Sequence, residues 1–437
     1  MRRRTAAALV ATLAWVATSR AAPAPPTWVT EYPRLAAEAE RDCSASRFED
    51  CRATLQRLYD MLDGRPDFAY RLAKAEARLG RAVTSLHWLE LYARSQLDFG
   101  DPAKQAEFRG LRGDPGFAAI ERSYQSGLRM VGHHRVIATL QTKDLIAEDL
   151  VLDPRDGSRY VSSVREGRVL KLDAGGHWSD FARRDELGAW GLYALALDPA
   201  RDRLWLGSVA GAVSPPFKPA DVGRSAVLQA DLRSRRVAQR FELRDGHEHA
   251  FGDMALAADG TLFVSDGVGG GAYRIRPEAN AALEPIVGAG QLRSPQTPVP
   301  LPGGARLLVA DYTRGIAIID LQHPPGLPTW LAHPPELALY GIDGLYLRGR
   351  MLIAVQNGTV PERILLLHLD SALRRVVKWE VALARADGLG DPTHGLVFGH
   401  QFQFIANSGW DRVDDEGRMR AAGEARAPAV WSIELPE

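Results

Sequence analysis

Six short segments of this 437-residue chain each place one residue just ahead of an apolar run, and five of those six residues carry polar side chains. They are Glu148, Tyr193, Gly252, Gln296, Asp343 and His394, and the residues one step further on include Asp149, Asp253 and Thr297. If these positions meet, two carboxylates, an amide, an imidazole and a phenol converge with Asp253 beside them. Such an oxygen-rich set suits a hard divalent cation, and calcium in particular, which takes about six to eight oxygen ligands. An imidazole titrates near neutral pH, so His394 is a candidate general base or a hydrogen-bond donor to a ligand. The competing reading is a histidine tied to backbone. His247 and His249 have the spacing of a metal pair, but the surrounding Asp245-Gly246-His247-Glu248-His249 reads better as a solvated loop. Asn357-Gly358-Thr359 reads as a strand turn.

Convergence requires a repeating scaffold, and the chain from Arg135 onward supplies one. An alternating strand recurs six times, for example Arg159–Val164, Leu262–Asp266 and Met351–Val355. Each copy follows a short apolar strand such as Leu150–Asp153 and precedes another alternating strand such as Ile364–Leu369. A fourth strand follows every copy but the last, where the chain ends at Glu437. The missing piece stands at the front, because Arg135–Leu140 is a strand with no copy before it. Placing it in the last blade removes both exposed sheet edges. The expected fold is therefore mainly β, a six-bladed β-propeller over 135–437, with the six candidate positions at one mouth of its central channel. A many-stranded β-sandwich has no reason to repeat at this period.

At these residues the chain resembles the senescence-marker and gluconolactonase propellers, together with NHL-repeat and paraoxonase-like propellers. Glu148-Asp149-Leu150-Val151-Leu152-Asp153-Pro154 is similar to the first-blade Glu segment, Gly252-Asp253-Met254 to the Asn-Asp segment, and Asp343-Gly344-Leu345 to the Asp-Gly segment. The resemblance implies Glu148 and Asp343 as metal ligands and Asp343 as a base. It departs at Gly252, where an Asn ligand is implied, and Tyr193 and Gln296 stand where other oxygen donors are implied. On this reading Glu148 and Asp343 hold calcium, Gln296 and Asp253 assist, Tyr193 and Thr297 face the ligand, and Asp343 or His394 handles the proton. The reaction would be hydrolysis of a lactone or ester. The alternative is a non-catalytic exported propeller that binds a protein or saccharide partner.

The front of the chain differs in texture. Arg2–Arg4, an apolar run from Ala6 to Ala17 and Ser19-Arg20-Ala21 form the pattern of a secretory signal peptide over 1–21, which implies a periplasmic or secreted protein. Prolines 23, 25 and 26 suggest a linker over 22–32. Residues 33–128 are rich in Ala, Leu, Arg and Glu and predict a small all-α region with helices near 52–62, 68–79, 83–97 and 117–124. Asp67–Arg81 resembles a tetratricopeptide helix, which implies a possible protein partner; a plain helical bundle fits equally. The two cysteines, Cys43 and Cys51, lie there. On one continuous helix their Cα atoms would be about 12 Å apart, too far to bridge, so a disulfide needs a turn near Ser44–Ser46. The disulfide is preferred to two thiols on one helix because the compartment is expected to be oxidising. Lys plus Arg (54) equals Asp plus Glu (54), which argues against a nucleic-acid partner, and nothing after the leader is apolar enough to span a membrane.

Overall fold

The computed structural model describes residues 24–278, 281–414, 417–421 and 425–437. Residues 1–21, expected to be a signal peptide, lie outside them. Among the described residues no helix is long and apolar enough to cross a membrane.

From Arg135 the chain forms six four-stranded antiparallel sheets, blades I to VI. Five use consecutive strands; the sixth joins Arg135–Thr139 to Ala429–Glu434, Gln401–Ala406 and Gly395–Phe398. The ring is closed by the strand the sequence left over, with Val136 opposite Trp431 and the His134 ring stacked on Trp431 at 3.7 Å. Both faces of each blade are covered by its neighbours, which is why a strand such as Met351–Gln356 is buried at every position. Aliphatic side chains fill the seams: Leu308 and Ile316 of blade IV share one cluster with Leu352 and Leu365 of blade V.

The innermost strands are Ala147–Leu152, Gly191–Asp198, Phe251–Leu256, Pro295–Pro300, Ile342–Arg348 and Gly395–Phe398. In the first five the pairing register slips at the strand start, between Ala147 and Leu150, Leu192 and Ala194, Phe251 and Asp253, Pro295 and Pro298, and Ile342 and Gly344. A bulge leaves residues off the ladder and re-aims their side chains. The same position in five blades thus turns side chains toward the hub instead of into a seam. Polar residues ending the second strands brace these entries: Ser208 Oγ accepts from the Trp190 N–H at 2.8 Å, and the Asp266 carboxylate from the Ala250 N–H at 2.8 Å.

The front of the chain is helical: α1 Thr27–Ser44, α2 Phe48–Met61, α3 Pro66–Arg78, α4 Ala82–Arg94 and α5 Pro115–Gly127. Residues 27–32, expected as part of a linker over 22–32, are the first turns of α1. Pro26 sits at its N-cap, where a missing N–H costs nothing, and Trp28 anchors the helix, buried edge-on against Trp330 of blade IV at 5.6 Å. The turn between α1 and α2 brings Cys43 and Cys51 to a Cα separation of 5.0 Å, and they form a disulfide. Helices α3 and α4 pack as a pair, the Ser85 hydroxyl donating to the Ala73 carbonyl at 2.8 Å.

This helical layer is seated on blades IV and V. The Arg65 guanidinium lies 3.9 Å over the Tyr340 ring and donates to the Thr313 carbonyl at 3.1 Å, and fully buried Arg363 donates to the Ser95 carbonyl at 2.8 Å. Tyr340 lies two residues before an innermost strand and Thr313 lies in the turn after a second strand. Both mark the end of the ring where the innermost strands begin, so the helices flank the mouth that holds the candidate site.

Candidate functional site

The hub at that mouth gathers Glu148, Asp253, Thr297, Asp343 and His394, all buried. His394 is the center of the arrangement. Its Nε2 is in hydrogen-bond contact with Asp253 Oδ1 and lies 4.0 Å from Asp343 Oδ1, while its Nδ1 lies 3.3 Å from the Glu148 carbonyl oxygen. Both ring nitrogens face acceptors, the pattern of a doubly protonated imidazolium. Burial alone would lower the His394 value, but the carboxylates of Asp253 and Asp343 overcome it and hold the ring charged well above its ordinary range. The backbone-tied alternative therefore holds only for Nδ1.

Burial, followed by the neighbouring Asp343 charge, pushes Glu148 well above the usual carboxylate range. Burial likewise lifts Asp343 to about 6. Glu148, Asp343 and His394 each offer one ligand atom, and these atoms lie within 4.8 Å of one another. Glu148 also accepts the indole N–H of Trp410, and Asp343 Oδ2 accepts from Asn357 Nδ2 at 2.8 Å. Asn357 Oδ1 in turn accepts the Tyr312 hydroxyl at 3.0 Å. Thr297 Oγ1 stands 3.0 Å from Asp253 Oδ1 and 2.8 Å from the Asp343 carbonyl, and its single proton serves one of the two.

The bulges decide which sequence candidates reach the hub. In blades III and IV the residues that reach the hub are Asp253 and Thr297, one step beyond the aligned Gly252 and Gln296. Gln296 does not join the carboxylates: its amide nitrogen is turned back to Ser294, 3.1 Å from the hydroxyl and 3.3 Å from the carbonyl. Tyr193 sits at the rim, its ring 6.1 Å from that of Trp410. Asp149, adjacent to Glu148, is a latch between blades I and II, with one oxygen accepting the Leu195 N–H at 2.6 Å and the other the Leu150 N–H at 2.7 Å.

Three residues outside the aligned positions complete the site. Asn357, read from sequence as a turn, follows the second strand of blade V and bends inward to Asp343. Trp410 comes from the long connection after Ala406 and reaches across to Glu148. Asp391 stands on the rim, lifted to about 8 by burial and by the charges of Asp343, Glu362 and Asp411. Only Asn357 had an available signal, since its place at the channel end of a second strand repeats from blade to blade. His249 corrects the solvated-loop expectation. It is buried, with Nδ1 2.6 Å from Asp266 Oδ2 and Nε2 3.0 Å from Asp245 Oδ1, while His247 is exposed, so the two do not form a metal pair.

No family model matches the sequence, and no curated protein matches it. Solved structures do match in shape. Regucalcin from Agrobacterium tumefaciens, a calcium-binding protein, aligns with a TM-score of 0.50 at 15% identity over 70% of this chain and 96% of that one. A gluconolactonase from Xanthomonas campestris gives 0.48 at 15% identity over 70% and 91%, and a glucose dehydrogenase gives 0.48 at 14% over 68% and 99%. At such identities the likeness speaks to architecture alone, and the matched names span different chemistries. The chain is a six-bladed β-propeller of the regucalcin shape, with a helical layer added on its site face.

Proposed function

We propose that the hub binds one divalent cation through the carboxylates of Glu148 and Asp343 and serves as a hydrolytic site for a lactone or ester. One observation carries this reading. Four carboxylates, those of Glu148, Asp149, Asp253 and Asp343, lie buried around a single imidazole, an imbalance of negative charge that a divalent cation would relieve. The donors fit calcium because His394 Nε2 is already engaged with Asp253, which leaves an oxygen set for the ion. When bound, such a cation supplies polarisation of a carbonyl oxygen. The chain's own residues would do the rest. Asp253 orients the His394 ring, His394 carries a proton at Nε2, Asn357 and Trp410 hold the two ligand carboxylates in place, and the rim ring of Tyr193 borders the approach. Export is part of the same proposal, supported by the leader pattern of 1–21 and by the Cys43–Cys51 disulfide.

The test is thermal unfolding of the protein with calcium, magnesium, manganese and zinc in turn, alongside turnover of a lactone and ester panel. A calcium-dependent rise in midpoint that disappears in Glu148→Ala, with turnover lost in His394→Gln, is the expected result. No shift with any of these ions and no turnover would discard the reading in favour of a partner-binding propeller.

A further inference from the structure

The opposite end of the hub holds a cavity. About 650 Å3 in volume, it lies where the innermost strands of blades III to VI end, below the carboxylates. Met254, Leu256, Val299, Leu301, Leu347 and Val397 are among its lining side chains. Its volume falls in the range of small-molecule sites.

Two independent features define what it can hold. Buried Thr297 and half-buried Tyr346, polar side chains on its wall, are engaged within the protein, and exposed Asp259 is partly so. Thr297 is bound to Asp253 or the Asp343 carbonyl, the Tyr346 hydroxyl accepts the Gly395 N–H at 2.7 Å, and Asp259, the one charged residue in the lining, accepts the Thr261 N–H at 2.8 Å. On the blade IV side the backbone wall also lacks donors. In blade IV, Pro298 and Pro300 alternate with Val299, which pairs with Leu308. Proline is tolerated in a strand where its nitrogen points away from the ladder. In an innermost strand that direction is the channel, so this wall lacks two N–H groups it would otherwise present. Along this side a polar ligand would find few donors, whereas the aliphatic side chains offer apolar contact.

We propose that this cavity is a binding site for a neutral, apolar small molecule, an acyl chain or hydrocarbon ring, separate from the carboxylate hub. The site needs no cation and does not depend on the hydrolytic reading.

Titration of the full chain with the neutral dye N-phenyl-1-naphthylamine, followed by its fluorescence, tests this. Saturable binding of one dye per chain is expected, weakened at least tenfold by Val397→Trp, which fills the cavity, and unchanged by Glu148→Ala at the hub. If circular dichroism shows Val397→Trp unfolded, Leu347→Glu takes its place with the same expected loss. Absence of saturable binding, equal binding by the cavity variant, or loss of binding in Glu148→Ala would overturn the proposal.

Discussion

Glu148 is buried with a carboxylate neighbour and a raised affinity for its proton, so its interactions change sign with what fills the hub. On the proposed reading it would become a ligand to the bound cation. At a calcium concentration about a hundredfold above the dissociation constant, binding adds about 2.7 kcal/mol of stability, and Glu148→Ala is expected to remove that increment in a thermal melt. Cation ligands must be deprotonated, and Asp343 holds its proton up to about pH 6. Affinity should therefore rise as pH climbs through about 6, and further as Glu148 also gives up its proton, with protons released on binding; calorimetry in buffers of differing ionisation enthalpy measures both. His249 gives a pH effect of the opposite sense. Its hydrogen bond to Asp266, joined by Asp245, raises it to about 9 against burial. A folded value above the unfolded one near 6.5 means stabilisation that is complete below about pH 6.5 and lost as pH climbs to about 9. His249→Gln should cost on the order of 2 kcal/mol at pH 6 and far less at pH 9.5, read from urea midpoints.

Among the elements, the five bulges and the helical layer do the positioning. Each bulge turns a side chain out of a packed seam at the same height around the ring, and this explains why the hub-facing residue lies one position beyond the aligned one in blades III and IV. The helices add a rigid flank to that mouth, since Trp28, Arg65 and the Arg363 contact to Ser95 tie them to blades IV and V. The disulfide closes only a short loop, between α1 and α2. On chain-entropy grounds its reduction is expected to cost about 2–3 kcal/mol. That loss should appear as a lower midpoint for the helical layer under dithiothreitol, with hub cation binding retained; an unchanged midpoint would show the loop to be held by packing alone.

For the whole molecule, ring closure is the decisive contact, because an open propeller exposes two strand edges and half-buried seams. A chain ending at Ala427 lacks the strand that joins Arg135–Thr139 to Gln401–Ala406. Such a chain is expected to lose cooperative unfolding and to aggregate, as light scattering and a broadened melt would report. Retention of a sharp transition would mean that the blades are stable without the ring.

The architecture was legible in the residues because strand alternation and turn chemistry are local, and because a strand missing at one end and spare at the other has one economical solution. Glu148, Asp253, Thr297, Asp343 and His394 were legible for the same reason, as positions fixed relative to a repeat. Trp410 was not, since its loop follows no period and the direction of its side chain depends on partners far along the chain; the place of Asn357 repeats, but its inward turn to Asp343 does not show in the residues. Gln296 turning back to Ser294, His249 buried between two aspartates, and α1 starting at Thr27 to seat Trp28 on Trp330 were likewise decided only in three dimensions. Periodicity encodes which face of an element is buried. What a buried polar group finds there is set by the elements that tertiary packing brings against it.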